Sequence, residues 1–207
     1  QYGVEVPRDP RHARILDTEN KNTKWQDAEY AEIQQLMEYE FATDKGLGDL
    51  KPEGYKRIRC RMIYAVKHDG LHKARYVAGG HLTADPESST YSSVVSARSL
   101  RIVLLAAELN KLGLMGADVG NAYLEALTNE LIYFVAGPEF AAFGLEGHTM
   151  ILFKALYGLK SSGQEWHKVM SKTLKAEGFK PSLGDPDVWM RKHLELQIWE
   201  YICVYLD

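Results

Sequence analysis

The sequence predicts an α+β fold in which helices pack on an antiparallel sheet. Three observations lead there. Apolar residues recur at near-helical spacing in separate segments, short extended runs lie between turn signals, and the elements follow the order helix, strand, helix, hairpin. With 207 residues, 45% of them hydrophobic, the chain is globular, sized for one large domain or one domain with a subdomain.

Residues 1–20 are polar, with Pro7 and Pro10, and are expected to form an arm or linker ahead of a folded region over 21–207. Trp25, Ala28, Ile33, Leu36 and Met37 then mark a helix, with Thr23 placed to cap it. Three glycines and a proline between Ala42 and Gly54 read as loop. Arg57–Lys67 and Lys73–Gly79 read as two strands around the turn His68-Asp69-Gly70, an arm that carries Lys67, Lys73 and Arg75. Ser99–Lys111 predicts a helix with Ile102, Leu105, Ala106 and Leu109 on its core face and Gly113 as its stop. Leu114–Val119 follows as a short strand, Asn121–Leu127 as a helical turn, and Leu131–Val135 and Met150–Phe153 as extended pieces. The glycine-punctuated turn KALYGLKSSG opens a helix over Gln164–Glu177, with Trp166, Met170 and Leu174 on one stripe and Gly178 as its stop. Val188–Arg191 and Gln197–Leu206 form the final hairpin, which ends on Asp207.

Net charge is −3 and the isoelectric point is near 6.2, which excludes a generally basic coat. The basic residues instead concentrate locally: Lys51, Lys56, Arg57, Arg59, Arg61, Lys67, Lys73 and Arg75 face only Glu53 and Asp69 in the same stretch. Cys60 and Cys203 are too few for a disulfide framework and have no metal-ligand spacing, so they read as reduced core thiols in an intracellular setting. No stretch has the length of apolar sequence that a membrane span needs, and the start has no signal-peptide layout. The run Val204-Tyr205-Leu206-Asp207 reads as a core strand without its return partner, the mark of a piece cut from a larger polypeptide.

Asp118 and Asp207 each end a short apolar run, in GLMGADVGNAY and YICVYLD. Two strands that each deliver a carboxylate at the tip build a divalent-metal site for phosphate chemistry. An Asp after an apolar run serves equally as a turn or helix cap, and the cationic hairpin serves equally as a solvated face.

The motifs NTKWQDAEYAEI, KHDGLHKARYVAGG, ADVGNAYL, KALYGLKSSGQEW, GFKPSLGDPDVW and YICVYLD occur in that order. Together, over roughly residues 15–207, the chain resembles the reverse transcriptase region of copia-type retrotransposon polyproteins. The resemblance implies the fingers and partial palm of a right-hand polymerase, an RNA-directed DNA polymerase that works with two Mg²⁺ ions. Its partners would be an RNA or DNA template with primer, deoxynucleoside triphosphates and the remaining polyprotein segments, in a cytoplasmic particle or the nucleus and with no membrane. It implies Asp118 as the first metal-binding carboxylate, the Val119 carbonyl beside it, and Asp207 as the first Asp of the Tyr-x-Asp-Asp motif. Lys73 and Arg75 match the cations that hold the incoming triphosphate. Tyr123, five residues after Asp118, matches the ring that packs on the nucleotide sugar, although a packed core aromatic accounts for it on sequence alone. Lys160 opens the turn that supports nucleotide and template.

Three departures accompany the match. Lys160-Ser161-Ser162-Gly163 stands where the family has Lys-Gln-Ala-Pro, Arg61-Met62-Ile63-Tyr64-Ala65 replaces Lys-Trp-Val-Phe-Lys, and Gly79-Gly80-His81 replaces a basic or aromatic stretch. They keep open a second reading, a catalytically dead relic that acts as a nucleic-acid-binding or scaffold segment. Under either reading the isolated chain is expected to be inactive.

Overall fold

The computed structural model describes residues 1–80 and 93–206 and shows mixed helix and sheet, as an α+β fold requires. His81 and Asp207, named above, lie outside the described residues. The chain divides into two compact units, residues 1–88 with 123–162, and residues 89–122 with 163–207.

The first unit begins with helix α1 (Pro10–Glu19) inside the stretch expected to form an arm. Asp9 caps it by accepting from the His12 amide at 2.8 Å, Pro10 occupies its first turn, and Ala13 and Leu16 are buried in the core. So few apolar residues serve the contact that the helix reads as polar. Helix α2 (Lys24–Glu38) buries Trp25, Ile33 and Leu36. Thr23 stands at its N-cap but makes no capping bond; its hydroxyl donates to Asp27. The buried Asp17 of α1 instead accepts from the Trp25 and Gln26 amides at 3.1 and 3.0 Å. A carboxylate from the preceding helix therefore satisfies the first donors of α2.

Strand β1 (Ala42–Leu47) occupies part of the segment expected as loop. It lies at the edge of a four-stranded sheet and exposes most of its residues, so it shows no apolar alternation. The sheet order is β1-β6-β5-β2, with β2 (Lys56–Arg57), β5 (Ile132–Val135) and β6 (His148–Leu152). Its pairs are antiparallel except β2 with β5, a two-residue parallel contact. Between them in sequence, β3 (Cys60–Val66) and β4 (His72–Ala78) form the predicted hairpin, in unbroken register from Cys60↔Ala78 to Val66↔His72. Met62, Tyr64, Val66, Ala74, Tyr76 and Ala78 alternate inward along the two strands. They close on Trp25, Phe41, Phe134 and Phe140 in one core that belongs wholly to this unit. Cys60 and Cys203 are free thiols, each half-buried.

In the second unit, helix α3 (Ala97–Leu109) starts at Ser96, whose hydroxyl accepts from the Ser99 amide. The expected core face is not buried: Ile102, Leu105 and Leu109 are 58%, 60% and 73% exposed, and Ala107 alone of the helix is buried. The stretch 112–119 that follows forms no strand, and Leu114, Met115 and Val119 are exposed. An apolar run predicts a strand only where a neighbour offers backbone partners, and no described segment pairs with this one. Helix α4 (Ser162–Ala176) buries Trp166 and Leu174 as its stripe predicts, and Gly178 follows it at φ +83°. The last sheet is antiparallel, β7 (Lys180–Pro181), β8 (Val188–His193) and β9 (Ile198–Cys203), with the Val188–His193 hairpin arm where the sequence placed it.

Candidate functional site

In the first unit, β4 carries both predicted triphosphate cations. Arg75 is exposed, opposite Ile63 in register, and its guanidinium lies 4.8 Å from the centroid of the Tyr157 ring. Tyr157 in turn meets Tyr123 edge to face, with centroids 4.9 Å apart and planes at 65°. Tyr123 sits in a short 3-10 turn, Ala122–Glu125, and is half-buried. Two predicted residues, Arg75 and Tyr123, thus come together through a third that sequence reasoning quoted in KALYGLK without giving it a role. The only hint was an aromatic set between buried residues and a glycine; its partner lies far away in sequence. An exposed guanidinium over a half-buried ring contributes about 0.5–1 kcal/mol, enough to hold the side chain's direction without neutralising it.

Two backbones must approach closely for this to form. The Ala78 amide donates to the Tyr157 carbonyl at 2.8 Å. At Gly158, φ is +90°, and a Cβ there would collide with the Ala78 carbonyl oxygen and the Val77 side chain. A Cβ at Gly80 would likewise meet the Gly158 carbonyl. Glycine at both positions lets the end of β4 lie against the 157–159 turn.

Lys73 is half-buried and pairs in register with Ala65. Beneath the hairpin the Glu32 carboxylate accepts from the Tyr76 amide at 2.9 Å. Burial raises its pKa, while that amide, Lys73 and Arg75 oppose the rise. Lys160 is half-buried at the turn before α4. The serines that follow it face inward: Ser161 donates to Glu130, and Ser162 donates to the Leu156 carbonyl at 2.7 Å. The altered turn is therefore a packed element whose hydroxyls anchor it.

In the second unit Asp118 and Val119 are adjacent and exposed in the irregular stretch after α3, not at the tip of a strand. A carboxylate and a backbone carbonyl are hard oxygen donors, the kind Mg²⁺ takes, so the donor chemistry fits. Among the described residues no three His, Cys, Asp or Glu side chains gather to hold a metal. No helix among them is long and apolar enough to cross a membrane.

The family model described as reverse transcriptase (RNA-dependent DNA polymerase) matches residues 49–207. The Ty1-BL Gag-Pol polyprotein of Saccharomyces cerevisiae is 29% identical over 188 residues, 89% of this chain and 10% of that protein. The retrovirus-related Pol polyprotein from transposon RE1 of Arabidopsis thaliana is 30% identical over 157 residues, 72% of this chain and 11% of that protein. The chain thus spans about a tenth of the length of the curated relatives it matches. No solved structure matches it. On the breadth of the family match and these relatives, the chain belongs to the reverse transcriptase family, in its copia-type retrotransposon branch.

Proposed function

We propose that this chain is the fingers and partial palm of a right-hand polymerase within a retrotransposon polyprotein, extending a primer on an RNA or DNA template by two-metal transfer of deoxynucleotides. The observation that carries the reading is the Arg75–Tyr157–Tyr123 cluster. It sets a cation on the β3–β4 hairpin beside two rings, Tyr157 from the adjoining turn and Tyr123 from the Ala122–Glu125 turn, and a nucleoside triphosphate presents the matching anion and sugar.

In this reading Arg75 and Lys73 hold the triphosphate, Lys160 supports the nucleotide and template from the adjoining turn, and Tyr123 contacts the sugar and discriminates against a 2′-hydroxyl. Phosphoryl transfer asks the protein for position and charge rather than covalent chemistry. Mg²⁺ bound by Asp118, Asp207 and the Val119 carbonyl would supply activation of the primer hydroxyl and stabilisation of the leaving oxygen. The remaining polyprotein segments, and a cytoplasmic particle or the nucleus, complete the proposed setting. The packed serines of the altered turn give the relic reading no observation of its own.

The test is equilibrium binding of a fluorescent deoxyadenosine triphosphate analogue to the chain. Arg75→Ala and Lys73→Ala are each expected to weaken it about 10-fold or more, the loss of one charge-assisted contact. Tyr123→Ala is expected to narrow the preference for deoxy- over ribonucleotide. Binding unchanged in all three variants would remove the nucleotide assignment. For the metal, Asp118→Asn in the full-length polyprotein should abolish primer extension.

A further inference from the structure

We propose that Arg8, Arg11 and Arg61 form a binding groove for single-stranded nucleic acid, one that shares no residue with the Arg75–Tyr157–Tyr123 cluster and holds a stretch of template by its phosphates. The inference rests on the polymerase reading above for its biological role, but the groove is defined by its own residues.

A groove of about 450 Å³ opens beside the first turn of α1, and every residue that lines it belongs to the first unit. Two segments distant in sequence build it. Residues 1–8 run back along the outer side of β3: the Gln1 side chain accepts from the Val66 amide at 2.8 Å at one end, and Arg8 shares the groove with Cys60, Arg61 and Met62 at the other. Val4 and Val6 pack against the core and Pro7 is buried, so Arg8 projects from a fixed segment. Arg11 follows in the first turn of α1, and Arg61 stands on β3 opposite Val77. All three arginines are exposed.

The rim is positive because its acids are already engaged. Asp9 caps α1 by accepting from the His12 amide at 2.8 Å, which also occupies the helix end, and Glu139 folds back over its own turn, where a Cβ on Gly137 would meet its carboxylate oxygens. Among the described residues the Arg11 and Arg61 guanidiniums have no ion-pair partner, and Arg8 reaches only Asp9, at 3.9 Å. A guanidinium presents a planar fork that matches phosphate oxygens two at a time, so three arginines suit a chain of phosphates. Between them Met62, Val135 and Pro138 give the groove an apolar lining. An unstacked base can cover that lining while its phosphates meet the rim, which a duplex, with its bases stacked inside, cannot do.

The experiment titrates the 207-residue chain into a fluorescein-labelled single-stranded oligouridylate at several salt concentrations and follows anisotropy. The triple variant Arg8→Ala, Arg11→Ala, Arg61→Ala is expected to bind about 10-fold more weakly at low salt and to reduce the slope of log affinity against log salt by about 2, the counterion release of three single-strand phosphates. Each single variant should reduce the slope by about 0.7. Arg101→Ala, an exposed cation on α3 in the second unit, is the control for loss of charge alone. Equal slopes in wild type and triple variant overturn the proposal, as does a loss in Arg101→Ala as large as in the three single variants. A duplex of the same length bound as tightly as the single strand, or polyglutamate that displaces it equally well, also overturns it, because neither offers a base to the apolar lining. Binding of the deoxyadenosine triphosphate analogue keeps this result apart from the nucleotide reading. It should be unchanged in the triple variant, and a fall there overturns the separate groove. If Arg75→Ala leaves analogue binding intact, the nucleotide reading fails, and the oligouridylate titration still decides the groove.

Discussion

Replacing Gly158 with alanine separates two costs that the structure makes distinct. The residue has φ +90°, and an L-side chain there carries a conformational penalty of about 1–2 kcal/mol. The added Cβ would also strike the backbone oxygen of Ala78, which cannot swing aside as a flexible side chain does. The turn must therefore move away from β4, weakening the Ala78–Tyr157 backbone bond, worth about 0.5–1.5 kcal/mol, and the Arg75–Tyr157 contact, worth about 0.5–1 kcal/mol. The expected loss is about 2–4 kcal/mol, or a fall in melting temperature of roughly 6–12 °C for a chain of this size. Gly144→Ala is the control: φ there is +71°, and nothing lies within 4 Å of the new Cβ, so only the conformational penalty applies. Urea unfolding of both variants measures the difference, and deoxynucleotide binding at a temperature where both are folded measures its consequence. Gly158→Ala should bind more weakly than Gly144→Ala because Tyr157 has moved. Equal stability and equal binding in the two variants would refute the argument that close backbone approach builds the Arg75–Tyr157–Tyr123 cluster.

Four further outcomes are expected. Trp25→Ala should cost about 3–5 kcal/mol in urea unfolding, because the ring is 1% exposed and packs on Tyr64 and His72 with centroids 5.7 and 4.3 Å away. Asp185 is held down to about 2, chiefly by the Ser99 hydroxyl and the Ser96 amide. Its folded pKa lies below the unfolded value of about 3.9, so its stabilisation is present above that value and lost as pH falls toward about 2; Asp185→Asn should flatten this acid limb in unfolding curves. Glu29 runs the other way, raised by burial against the Tyr64 hydroxyl bond and Arg14. Its stabilisation is present below the unfolded value of about 4.3 and lost as pH rises through the folded value, so Glu29→Gln should reduce the decline in stability toward neutral pH. Finally, the 207-residue chain alone should give no primer extension in a gel assay, because Asp118 leaves α3 on an exposed stretch with no strand to hold it; measurable extension would contradict that.

What the sequence made legible follows from where each signal is stored. The β3–β4 hairpin was readable because its apolar alternation and its turn are both local, and the structure keeps them in register. Helix α4 was readable for the same reason, with Trp166 and Leu174 buried where the stripe placed them. Helix α1 was hidden because its contact needs only Ala13 and Leu16, and strand β1 because an edge strand with mostly exposed residues shows no pattern. Helix α3 shows the opposite error. Its apolar face was read correctly as apolar, but burial depends on a neighbour, which periodicity does not encode. For the proposed site, the motifs named Arg75 and Tyr123, while Tyr157, the ring that touches both, became visible only when Ala78 and Gly158 were seen to touch. Asp185 and Asp187 lie inside the motif GDPDVW, yet their hydrogen-bond partners Ser96, His167 and Val204 are scattered along the chain.

The two units differ in a way that bears on function. The residues proposed to bind nucleotide stand on a closed core: Arg75 projects from a hairpin whose inner face meets Phe41, Phe134 and Phe140, and every residue of that core lies within the same unit. Asp118 stands on a stretch whose preceding helix leaves Ile102, Leu105 and Leu109 open to solvent. In the proposed function, recognition of a triphosphate asks only that a cation and a ring be held at fixed spacing, and the first unit holds Arg75 against Tyr157 by its own packing. Transfer chemistry asks in addition that carboxylates be fixed to within a fraction of an ångström, and an exposed irregular segment does not fix them. Deoxynucleotide binding and metal-dependent transfer should therefore separate in this chain, with the first measurable where the second is absent.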